Sequence, residues 1–276
     1  MDFLLDPLSH AFLRRAMLAG VAIGAAGGLL GLFVVQRGLS FLTDGLAHAT
    51  FGGLALGLLL GTSVDQSFAV ALPFVVLVAL GTALVRRQSG LGADVSTGVF
   101  FAMAFALGIV CLGLRPASAP PVDVESLLFG SILSVSPQGL LAIVIVSALT
   151  VLALLALWSR LAYATFDPEL AVLSGVRVAL VEYLLMALVA LVVVAGLRSV
   201  GVVLVSAFVI LPSATAHLLA RRLVTIAVWS VALAVTATVV GLLLSYHLNL
   251  ASGATIVVLL GMVFFATLGM RRGRAA

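Results

Sequence analysis

Two polar side chains set in the middle of an apolar run carry the strongest chemical signal in this chain. The run reads Leu39-Ser40-Phe41-Leu42-Thr43-Asp44-Gly45-Leu46-Ala47-His48-Ala49-Thr50-Phe51-Gly52. Asp44 and His48 are four residues apart, so on a helix they stand one turn apart on the same face, and Ser40 extends the stripe by another turn. With the helix starting near Leu39, His48 lies about 14 Å along it. A charged group at such a depth in a bilayer costs roughly 2.5 kcal/mol or more, so its presence asks for a function. A carboxylate oxygen and an imidazole nitrogen on one face offer two ligands to a borderline divalent ion such as zinc or manganese. Other helices, a second subunit or water must complete the shell. The plainer alternative is an Asp–His hydrogen bond that only fixes helix packing; the cost of both groups in hydrocarbon favours the metal.

Weaker candidates lie further along. Glu182, in Leu180-Val181-Glu182-Tyr183-Leu184, is a second ligand or relay candidate, although its closeness to Arg177 also allows a reach to the interface or a pair with that arginine. His217 follows Pro212, a residue that removes one backbone hydrogen bond, kinks a helix and can open a path. Near the inner end of its segment, His217 reads first as structural or interfacial. His10 and His247 fall at segment ends, and Asp65 and Asp94 read as loop acids or helix caps. The single cysteine, Cys111, sits in an apolar run, which excludes a disulfide framework and argues against a thiolate site. No H-E-x-x-H motif is present, which counts against a membrane metalloenzyme.

The elements that must position these residues follow from composition. Hydrophobic residues make up 63% of the 276, charged residues only 9%, and mean hydropathy is +1.34. A soluble domain carries roughly 25% charged residues, so most of this surface faces hydrocarbon. The expected fold is an all-α polytopic transmembrane bundle of eight or nine membrane-spanning helices, forming a single membrane domain over residues 1–276. Nine apolar segments are predicted, at about 12–35, 39–61, 67–85, 95–114, 138–158, 178–197, 199–220, 223–245 and 251–270. Each is expected to be helical, because lipid-facing backbone must satisfy itself. Arg115–Glu125 reads as an outer loop with a short interfacial helix near Leu127–Leu133, and Ser159–Arg177 as the second polar interruption. Glycines at four-residue spacing (Gly20/Gly24, Gly27/Gly31, Gly53/Gly57/Gly61) predict close helix packing within the chain rather than between chains.

All 14 basic residues are arginines placed at the ends of apolar runs, a topology signal rather than a nucleic-acid surface. Arg37, Arg86–Arg87, Arg160 to Arg177, Arg221–Arg222 and the tail arginines share one side, which is therefore the cytoplasm. Nine spans would leave the N-terminus outside; eight, with one early segment broken, would put both termini inside. No G-x-x-x-x-G-K-[ST] loop occurs, so if ATP drives this protein, another polypeptide hydrolyses it.

The chain resembles the zinc/manganese/iron ABC permease family. Thr43-Asp44-Gly45-Leu46-Ala47-His48-Ala49 with Gly52-Gly53-Leu54-Ala55-Leu56-Gly57 is similar to that family's signature. Leu128–Leu133, Phe166–Ala171 and Gly201–Ala207 running into Leu211–Ala216 follow in the family's order. The resemblance implies a non-enzymatic transport subunit in a bacterial plasma membrane, carrying Zn2+ or Mn2+ and no permanent cofactor. It implies partners as well: cytoplasmic ABC ATPase subunits, an extracytoplasmic metal-binding protein and a second copy of itself. Asp44 and His48 match the residues that handle metal. Phe166, Asp167, Pro168, Glu169 and Gly175 match the cytoplasmic loop, within 159–177, whose short helix docks on the ATPase. Arg198 and Thr43 depart from the family pattern. A gradient-driven transporter or channel, or a permease for a metal chelate, are the competing expectations.

Overall fold

The computed structural model describes residues 9–116 and 132–273. Its helices, in chain order, are α1 (Ala11–Gln36), α2 (Ser40–Leu59), α3 (Val64–Ser89), α4 (Ala93–Gly113), α5 (Pro137–Ala156), α6 (Trp158–Phe166), α7 (Pro168–Leu173), α8 (Val178–Val200), α9 (Val202–Leu219), α10 (Leu223–Leu248) and α11 (Ser252–Gly273). The described residues contain no strand. Among the described residues, eight helices are long and apolar enough to cross a membrane. The other long helix, α2, is 20 residues with Asp44, His48 and four glycines, too polar to count by composition. Fourteen of its 20 residues are nonetheless buried.

Helix ends follow local chemistry. Ser63 and Gln66 cap α3 reciprocally, a capping box that starts the helix before the predicted apolar segment. Arg86 and Arg87 fall in its last turn rather than beyond it. The boundary predicted near residue 198 lies at Gly201, whose φ of 85° separates α8 from α9. α9 continues through Pro212 to Leu219. The predicted 159–177 loop is two short helices: Asp167 accepts a hydrogen bond from the Leu170 amide and Pro168 takes the first helical position of α7, the arrangement that starts a helix most readily. Of the predicted outer loop and interfacial helix, residues 117–131 lie outside the described ones, and Ile132–Ser134 forms a single 3-10 turn.

Burial sorts the helices into two sets. In α1, 72% of the spanning window is buried, against 17% in α11 and 28% in α4 and α5. α1 packs on α10, α9 and α5, while α2 packs chiefly on α4 and α3. The glycine stripes explain how two backbones get so close. Gly31 abuts the Val209 carbonyl of α9, and the Ser230 hydroxyl of α10 donates to the Gly28 carbonyl at 2.7 Å. On α2, a Cβ at Gly53 would stand 2.7 Å from the Ala71 Cα of α3, closer than packed atoms allow. These stripes thus serve packing within the chain, as predicted. Gly61 is the exception, because it faces open space at φ 82° and turns the chain after α2.

Candidate metal site

α2 leaves α1 through a turn of three residues. Gly38 adopts φ 64°, and the amides of Arg37, Gly38 and Leu39 return to the carbonyls of Phe33, Val35 and Val34. With no slack between them, the two helices meet end to end and the register of α2 is fixed from Ser40 onward. In the first three turns of α2, Ser40, Phe41, Asp44 and His48 retain exposure while Leu42, Thr43, Gly45, Leu46, Ala47 and Ala49 are buried. The side chains of Asp44 and His48 are 44% and 33% exposed. The predicted stripe is therefore the open face of an otherwise enclosed helix.

The two side chains stand together as the spacing required. His48 Nδ1 is 3.7 Å from Asp44 Oδ2 and 3.0 Å from the Asp44 backbone carbonyl. A carbonyl oxygen can only accept, so this bond is made by a proton on Nδ1, and Nε2 is the ring nitrogen left for another partner. That division of labour orients a histidine for metal binding through its free nitrogen. Two further residues fix the pair. The Ser206 hydroxyl of α9 donates to Asp44 Oδ1 at 3.4 Å, and the Phe101 ring of α4 meets the imidazole edge-on with centroids 5.4 Å apart. Ser206 fell within a stretch carrying the family resemblance, yet its partner is 162 positions away and no spacing rule reaches that far. Phe101, one of many phenylalanines in apolar runs, gave no signal.

The weaker candidates go elsewhere. Among the described residues no group of three or more His, Cys, Asp and Glu gathers to hold a metal, so neither Glu182 nor His217 joins the pair. Glu182 is only 5% exposed and makes ion pairs with Arg86 and Arg87 of α3. In place of the expected pairing with Arg177, Glu182 joins α8 to α3 in a partly buried clamp. His217 Nδ1 lies 2.8 Å from the Ser213 carbonyl, and its Nε2 is buried without a partner among the described residues.

At the same end of the bundle, Arg37 Nε donates to Thr165 Oγ1 at 2.9 Å. Burial lowers the Arg37 pKa from its ordinary value, Glu182 opposes that shift, and Arg86 adds to it. Three of the arginines assigned to one side by their positions, Arg37, Arg86 and Arg87, thus lie around Glu182. Next to them, α6 and α7 expose Tyr163, Phe166, Leu170, Val172 and Leu173, the last at 85%, on helices of nine and six residues that are too short to span a bilayer.

Among the described residues, an all-helical bundle with eight helices long and apolar enough to cross a membrane is that of a multi-pass membrane protein, and α2 presents an Asp–His pair on its open face. The comparisons are specific on its kind: the sequence model of the ABC 3 transport family matches residues 9–271, and the chain belongs to that family. It is 34% identical over 266 residues to the manganese transport system membrane protein MntC of Listeria monocytogenes, covering 96% of this chain and 92% of that one. It is 36% identical to the manganese import system permease protein ScaB of Streptococcus parasanguinis, over 92% and 88% of the two chains. The structure of PsaBC from Streptococcus pneumoniae in complex with Fab matches with a TM-score of 0.81 at 32% identity, over 96% of this chain and 94% of that one.

Proposed function

We propose that this chain is the membrane-spanning permease of an ABC importer that carries Mn2+ across a bacterial plasma membrane, with Asp44 and His48 as the transient ligands of the ion. The observation that carries the reading is the pair itself: a carboxylate and an imidazole whose Nδ1 meets the Asp44 carbonyl, on the open stripe of α2. Relatives named for manganese favour Mn2+ over Zn2+, since an oxygen–nitrogen pair alone suits either ion. Two ligands are too few for a complete shell, and the open stripe of α2 is where a second copy of the chain would supply the same pair. The resulting site is weak enough to release the ion, as conduction requires.

The exposed apolar side chains of α6 and α7 support docking of a separate ATPase. Phe166, Asp167, Pro168, Glu169 and Gly175 shape that segment: Asp167 caps α7, Pro168 starts it, and Gly175 at φ 78° ends it. An extracytoplasmic metal-binding protein would deliver the ion from the other side. The test is purification of the tagged chain from its host in mild detergent, followed by Mn2+ uptake into proteoliposomes. Co-purification of an ABC ATPase with ATP-dependent uptake is expected. A protein that purifies alone and takes up metal on a proton gradient would overturn the reading in favour of a gradient-driven carrier.

A further inference from the structure

Two contacts bind α6 to the inner end of α1, one at each end of α6. Trp158, its first residue, meets the Phe33 ring edge-on with centroids 5.5 Å apart. Thr165, next to last, accepts the Arg37 Nε–H at 2.9 Å. The geometry at Thr165 is directional. Its hydroxyl proton goes to the Leu161 carbonyl at 2.6 Å, so the oxygen can only accept from Arg37. Arg37 Nη2 is buried and has no hydrogen-bond partner among the described residues, so the Nε bond gives the guanidinium its direction while Glu182 attracts its charge.

On one side of this bond Thr165 is followed directly by Phe166 and Asp167, the start of the docking segment. On the other side Arg37 is joined through the tight Gly38–Leu39 turn to Ser40, where α2 begins as a continuous helix. From Ser40 to Asp44 is about 6 Å of helix. A hydrogen bond between a charged guanidinium and a hydroxyl in a poorly hydrated site is stronger than a neutral one and costs more to leave unmade. The path from the docking surface to the metal ligands thus consists of one hydrogen bond, one tight turn and one helical turn.

We propose that the Arg37–Thr165 hydrogen bond is the link through which movement of the α6–α7 segment shifts the inner end of α2 and hence the Asp44–His48 pair. Arg37 and Thr165 are positioning residues, neither touching the ion. The Arg86–Arg87–Glu182 clamp between α3 and α8 holds the frame against which that shift acts. This inference rests on the docking role assigned to α6 and α7 above.

The test uses the complete complex of permease, ATPase and binding protein in proteoliposomes, with Mn2+ uptake and ATP hydrolysis measured on the same preparation. Thr165→Val keeps the β-branched shape and removes the acceptor. It is expected to lower Mn2+ carried per ATP hydrolysed about tenfold, the size of a lost charge-assisted hydrogen bond, while ATPase stoichiometry and hydrolysis stay within about twofold. Thr165→Ser restores the ratio. Arg37→Gln lowers it to the same extent, and the double variant is no worse than either single one, because both remove one link. A wild-type ratio in Thr165→Val, a parallel fall of uptake and hydrolysis, or additive losses in the double variant would each overturn the link alone. Lack of ATP-driven uptake by the wild-type complex would instead overturn the reading under Proposed function.

Discussion

Asp44 is oriented from two directions, by its place on α2 and by the Ser206 hydroxyl on α9. Groups that orient a metal ligand typically change affinity 10–100-fold when removed. Ser206→Ala is therefore expected to raise the KM for Mn2+ about tenfold with the maximal uptake rate largely kept; an unchanged KM would show that the hydroxyl is a bystander. Glu182 poses a different question. Removing its charge leaves Arg86 and Arg87 beside a carboxamide, and because both arginines keep solvent contact the loss is about 1–2 kcal/mol rather than that of a fully buried pair. Glu182→Gln should lower the thermal midpoint of the detergent-solubilised chain by several degrees, and a midpoint within a degree of wild type would refute the clamp. At this scale the sequence was legible where partners lie within one helical turn. Asp44 and His48 could be paired by spacing alone, whereas Ser206–Asp44 and Arg37–Thr165 span 162 and 128 positions and only the fold brings them together.

Helices are where local physics speaks most clearly. Long apolar runs and arginine-flanked ends placed nine segments within a few residues of nine helices, because hydrocarbon imposes length and backbone satisfaction on each run independently. What the runs left out were the caps. Ser63 with Gln66, and Asp167 with Pro168, extend or create helix in polar stretches that hydropathy reads as loop. The glycine stripes showed a need for closeness but not the partner helix. Their energetics can be separated by one substitution at two sites. Gly53→Ala places a methyl 2.7 Å from the Ala71 Cα, an overpacking worth about 1–3 kcal/mol. At Gly261 on α11 nothing lies within 4 Å, so Gly261→Ala should be neutral or stabilising by about 0.5–1 kcal/mol through helix propensity. Thermal melts of the two variants in one detergent test this, and equal effects would contradict the packing account.

At the scale of the whole molecule, the proposed docking of an ATPase rests on one surface, the exposed apolar side chains of α6 and α7. Lipid accounts for the exposed apolar residues along α3, α4, α5, α10 and α11. Phe166, Leu170 and Leu173 are exposed as well, but on helices too short to span a bilayer. An exposed apolar cluster rimmed by charge marks a protein contact. Leu170→Asp is expected to reduce the co-purifying ATPase at least tenfold, since a charge buried in an interface without a partner costs several kcal/mol, while the permease itself stays folded; unchanged stoichiometry would move the docking surface elsewhere. On the open stripe of α2, the half-exposed Asp44–His48 pair fits the second copy of the chain that the family resemblance implies, and the closed site proposed here would belong to that assembly rather than to one chain.

The central claim, that Asp44 and His48 carry the ion, is tested most directly by radioactive Mn2+ uptake in proteoliposomes holding the full complex, with Asp44→Ala and His48→Ala compared with wild type. Uptake abolished in both variants, with ATPase stoichiometry intact, is the predicted result. Wild-type accumulation in both would show that the ion crosses without these ligands, and the site proposed on α2 would have to be abandoned.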